Sequence, residues 1–97
     1  MSYLLLMSKD TRYKTVNILI TTGHIKTFAD IFNHIPPSIV SKDFGTNYNR
    51  FSNLIENPSE FKLKELYTLA RFFDLEDEVM ITLAHNQRIE NRKRQHK

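Results

Sequence analysis

Ninety-seven residues make one domain with room for one modest core. Two Gly argue against a turn-rich all-β chain, and the absence of Cys excludes disulfides, thiolate metal sites and a Cys nucleophile while fitting a reducing cytoplasm. The formal charge of +3 is unevenly placed: residues 88–97 carry five Lys/Arg against one Glu, residues 1–87 nine against ten Asp/Glu, so the body is near neutral and the basicity terminal.

Residues 1–12 read as an N-terminal arm that need not be ordered. Its apolar run Tyr3 to Met7 is far shorter than the roughly 20 residues that cross a bilayer. It has no basic residues before it and makes a poor signal peptide, and Met7 offers an alternative start. The domain proper is expected over 13–87. Tyr13 to Thr22 places Val16, Leu19 and Ile20 at helical spacing before Gly23, although Val16, Ile18 and Ile20 also alternate as a strand would, which leaves helix or hairpin open over 15–26. Thr27 and Asp30 approximate a capping box for a helix carrying Phe28, Ile31, Phe32 and Ile35, ended by Pro36.

Pro37 suits the first position of the next helix, whose buried side is Ile39, Val40 and Phe44. Gly45 then supplies a turn. Thr46 or Asn47 caps a further helix in which Phe51, Leu54 and Ile55 face inward, so that 46–57 form one unit. After Asn57-Pro58, the spacing of Leu63, Leu66, Leu69, Ala70 and Phe73 predicts an inward face for a helix over 62–73. Asp74 breaks it. Glu76-Asp77-Glu78 opens a last helix with Val79, Met80, Leu83 and Ala84 as its stripe. The stripe fades after Ala84, so the basic tail 88–97 is expected to fray.

A helix, a glycine turn and a helix whose outer side bears Asn47, Asn49, Arg50, Ser52 and Asn53 is the layout of a DNA-reading helix-turn-helix. Asn can bond adenine twice and Arg guanine twice, whereas a merely solvated helix favours Glu and Lys. The plainer reading of those Asn is that they cap and turn. Ser41, four residues before Gly45, is small enough for the two helices to cross closely.

These residues resemble the XRE/Cro-type helix-turn-helix domain of phage repressors and related bacterial regulators. The resemblance runs from about Thr27 to Leu83 and rests on Ser41…Gly45, Phe51, Leu54, Asn57-Pro58 and Leu63…Leu66…Leu69-Ala70…Phe73-Asp74-Leu75. It implies an all-α, lambda-repressor-like bundle of about five short helices, commonly a homodimer on a near-palindromic site. It assigns base reading to Asn47, Tyr48, Asn49, Arg50 and Asn53, and backbone positioning to Ser38, Lys42, Lys62 and Lys64. The chain departs from the family at Ser41, where Ala is common, at Pro37, where Gln often braces the first base contact, and at Ile55, where Glu is frequent. Tyr48 has two readings, toward a thymine methyl or sugar, or inward beside Phe51.

The expected function is therefore sequence-specific duplex DNA binding in a transcriptional regulator of bacterial or phage and mobile-element type. The alternative is a small helical protein-interaction module, or an antitoxin-like protein on the same fold. No cofactor and no metal is expected, because His24, His34, His85 and His96 show no ligand spacing. No phosphate loop or nucleophile elbow points to an enzyme.

Overall fold

A computed structural model describes residues 10–95. Residues 1–9 of the arm, with Tyr3 to Met7 and the alternative start, lie outside the described residues, as do 96 and 97. Five α-helices follow one another: α1 (Arg12–Thr21), α2 (Pro37–Phe44), α3 (Tyr48–Glu56), α4 (Leu63–Phe72) and α5 (Asp77–Gln95), with 3-10 turns over Ala29–Asn33 and Pro58–Glu60 and no strand among the described residues. The fold is an all-α bundle.

The stretch open to helix or hairpin is helical. Tyr13, Val16 and Ile20 are buried along one side of α1, while Ile18 of the competing alternation is half exposed. Gly23, at φ +84°, lets His24 and Ile25 both donate to the Leu19 carbonyl at 2.8 and 3.0 Å, which closes the helix. At the other end Asp10 accepts from the Arg12 backbone N–H (2.9 Å) and from its guanidinium (2.7 and 2.8 Å). The Arg12 side chain first, then its N–H, lower the Asp10 carboxyl to about 2. The helix thus starts at Arg12, inside the segment read as arm.

The expected helix from Thr27 is corrected to a short 3-10 turn. No Thr27–Asp30 box forms. The Phe28 N–H donates instead to the Leu83 carbonyl (3.1 Å) and the Ala29 N–H to Gln87 Oε1 (2.9 Å), so α5 supplies the acceptors that a local cap would have provided. Phe28, Ile31 and Ile35 are still buried.

Aromatic rings join the elements. Phe51 of α3 has no exposed surface and lies 5.6 Å from Phe32, 5.9 Å from Phe44 and 6.1 Å from Phe61 between ring centroids. Phe44 continues to Phe72 of α4 at 6.2 Å, and Tyr13 meets Phe73 at 5.0 Å. Such edge and tilted pairs add about 0.5–1.5 kcal/mol each beyond burial. Tyr13 also donates its hydroxyl to Asp43 Oδ2 (2.8 Å), tying α1 to the end of α2. Burial and then that carboxylate raise the Tyr13 pKa well above its ordinary value.

Two further expectations change. Leu63 does not face inward: it is 54% exposed. As the first residue of α4 it stands at the outer end of the stripe of Leu66, Leu69 and Ala70, and rims a shallow cleft with Pro58, Phe61, Ile81 and His85. The tail does not fray at residue 88, since α5 stays helical to Gln95. Its inner face runs Met80, Ala84, Gln87, Asn91, with amides taking over where the apolar residues stop. Gln87 is buried and donates to Asn91 Oδ1 (3.0 Å), and Asn91 donates to the Glu56 carbonyl at the end of α3 (2.8 Å).

Candidate nucleic-acid interface

The turn between α2 and α3 is built as its sequence demands. Gly45 takes φ +89°, and the N–H groups of Gly45 and Thr46 both donate to the Ser41 carbonyl, at 2.9 and 3.1 Å. Ser41 is buried at the crossing, and its hydroxyl donates to the Ser38 carbonyl (3.1 Å), so the small polar side chain is satisfied where it sits. Asn47 is the cap of α3: its Oδ1 accepts the Arg50 N–H at 2.7 Å.

From that start α3 divides into two sides, with Ser52, expected on the outer one, half-buried between them. Phe51, Leu54 and Ile55 are buried, and Asn47, Tyr48, Asn49, Arg50 and Asn53 are all exposed. Tyr48, with two readings in the sequence, faces outward at 51% exposure. Among the described residues the side chains of Asn49 and Asn53, one helical turn apart, make no hydrogen bond. Asn47 serves both readings, since its oxygen caps the helix while the side chain is exposed and its amide nitrogen makes no hydrogen bond among the described residues. The result is a row of donors and acceptors standing on a close-packed aromatic base.

Arg50 differs from its neighbours in being held. Its Nη2 lies 3.0 Å from Glu65 Oε2 of α4, and its Nη1 is at 3.5 Å from Thr46 Oγ1. The other carboxylate oxygen of Glu65 accepts the Lys62 N–H at 2.9 Å, capping the start of α4. Partial burial pushes the Glu65 pKa up, but the Lys62 N–H and the Arg50 guanidinium outweigh it, and the net shift is downward. Glu65 is absent from the sequence reading. Its only local signal is its place three residues after Lys62, which is no conventional cap residue, and its partner lies on another helix.

The four backbone-positioning candidates are exposed as well. Ser38 and Lys42 share one side of α2, one turn apart. Lys62 and Lys64 lie at the start of α4, and the Arg50–Glu65 pair joins that start to α3. The basic residues Arg88, Arg92, Lys93 and Arg94 are exposed on the last turns of α5, which Asn91 anchors to the far end of α3. The chain matches no family model, and no curated protein and no solved structure is significantly similar to it. Among the described residues no group of His, Asp and Glu could hold a metal ion, and no helix is long and apolar enough to cross a membrane.

Proposed function

We propose that the protein binds double-stranded DNA sequence-specifically through α3, as a transcriptional regulator of bacterial or mobile-element type acting as a homodimer. The observation that carries this reading is the outer side of α3. Asn47, Tyr48, Asn49, Arg50 and Asn53 are exposed together on a rigid helix that follows a tight glycine turn. Amide and guanidinium groups so displayed match the hydrogen-bonding edges of the major groove. Ser38, Lys42, Lys62 and Lys64 supply phosphate contacts that set register, and the basic end of α5 adds attraction independent of sequence.

The test is binding of duplexes recovered from a random pool, followed across salt concentrations. Arg50→Ala and Asn49→Ala are each expected to cost about 1–3 kcal/mol at the recovered site. Equal binding by wild type and Arg50→Ala counts against this docking. The second reading, a protein-interaction module of antitoxin-like kind, draws on the near-neutral body and on Leu63 and Ile89, both exposed on α4 and α5. An apolar interface there is nearly indifferent to salt, whereas phosphate binding weakens steeply as salt rises.

A further inference from the structure

A guanidinium at the end of a long exposed stem samples many rotamers, and binding must select one of them. Arg50 is already selected. Glu65 Oε2 holds Nη2 at 3.0 Å, and Thr46 Oγ1 stands at the limit of hydrogen bonding from Nη1. Glu65 is itself fixed, because its side chain is only 15% exposed and its second oxygen is bound to the Lys62 N–H. The chain of restraint therefore runs from the backbone at the start of α4, through one carboxylate, to the guanidinium on α3.

Resting on the reading of α3 as the base-contacting helix, we propose that Glu65 is a specificity-determining positioning residue that presets Arg50 for a guanine edge. The Arg50 side chain stays 42% exposed in this pair, and the guanidinium N–H groups that Glu65 and Thr46 do not use are left to meet guanine O6 and N7 as a fork. Stability is not the main return of this pair, since an exposed ion pair contributes little to folding.

Glu65→Gln separates the brace from the cap. Its carbonyl can still accept the Lys62 N–H, but its amide has no charge for Arg50. Glu65→Asp, measured in parallel, keeps the charge and withdraws it by one methylene, and thermal melting of both variants reports on the fold. Wild type, Glu65→Gln, Glu65→Asp, Arg50→Ala and the Arg50→Ala/Glu65→Gln double variant are each used to select duplexes from a random pool. Their affinities for the wild-type consensus and for a scrambled duplex are then compared at one salt concentration.

The wild type is expected to enrich a motif with a G·C position that Arg50→Ala loses. In both Glu65 variants that same position relaxes, and the ratio of consensus to scrambled affinity falls about tenfold for Glu65→Gln. On the Arg50→Ala background Glu65→Gln adds no further loss of that ratio. A Glu65→Gln protein with the wild-type motif and ratio overturns the proposal, and so does a double variant far below Arg50→Ala alone. A wild type that enriches no motif overturns the DNA-reading function itself, which is a different result from a motif indifferent to Glu65.

Discussion

Gly45→Ala isolates the backbone term of the turn on which α3 is mounted. At φ +89° an L-residue is in the left-handed region, which costs roughly 1–2 kcal/mol. A Cβ built there meets no atom within 4 Å, so no steric term is added. Alanine also restricts the unfolded chain, and this returns about 0.4–1 kcal/mol. The net cost is thus about 1 kcal/mol, which lowers Tm by about 4–8 °C in a domain of this size. Gly23, at φ +84° and equally free of neighbours, is expected to respond alike, which makes Gly23→Ala an internal control. Asn at position 45, which tolerates this conformation better, is expected to lose less. Urea unfolding gives the same ranking with an unchanged slope if the native surface is preserved. A Gly45→Ala protein more stable than the wild type would refute a left-handed turn, and a loss above about 3 kcal/mol would show that a side chain meets atoms there.

Phe51→Ala removes the ring shared by Phe32, Phe44 and Phe61 and is expected to cost about 3–5 kcal/mol, a large part of a small domain's stability, read by calorimetry. Glu65, whose carboxyl is lowered in the folded state, contributes stability that is complete above the ordinary glutamate value of 4.5 and is lost as pH falls through its own lower value. Melting across that acid range is therefore expected to be less pH-dependent in Glu65→Gln than in wild type, and identical profiles would count against the pair. Truncation after Asn91 removes Arg92, Lys93, Arg94 and Lys97 but keeps the Asn91 anchor, and is expected to weaken binding to all DNA and flatten the salt dependence while leaving α3 in place. An unchanged salt slope would make that end of α5 a bystander.

Much of the fold was legible because its determinants are local. Pro36-Pro37 starts α2, Ser41 and Gly45 shape the turn, and Asn47 caps α3 through its own side chain, all within a dozen residues. The same local chemistry made the outer side of α3 readable as a candidate site, including its exposure. Where the sequence was ambiguous or misleading, the deciding partner lay far along the chain. The alternation of Val16, Ile18 and Ile20 suits a strand until burial of Tyr13, Val16 and Ile20 against the other helices selects α1. Thr27 and Asp30 resemble a local cap for a helix carrying Phe28, Ile31, Phe32 and Ile35, yet the N–H groups of Phe28 and Ala29 donate to Leu83 and Gln87 of α5 instead.

Periodicity of apolar residues has a matching blind spot at the ends of helices. It placed Leu63 inward although that residue, at the very start of α4, is more than half exposed, and it ended α5 too early because Gln87 and Asn91 continue the buried face with amides. Glu65 was invisible for a related reason. Neither composition nor spacing brings a carboxylate on α4 to a guanidinium on α3, and only the packed geometry does so.

The most direct measurement is a heteronuclear NMR titration of the whole chain with a duplex recovered from the random pool, followed at the side-chain amides. The Asn49 and Asn53 amides and the Arg50 Nε–H are expected to shift first. The amides of Asn17 and Asn86, which donate to backbone carbonyls of Phe73 and Lys26 away from α3, are expected to stay in place. Shifts confined to Asn17, Asn86 and the Leu63–Ile89 side, with Asn49 and Asn53 unmoved, would contradict DNA reading through α3.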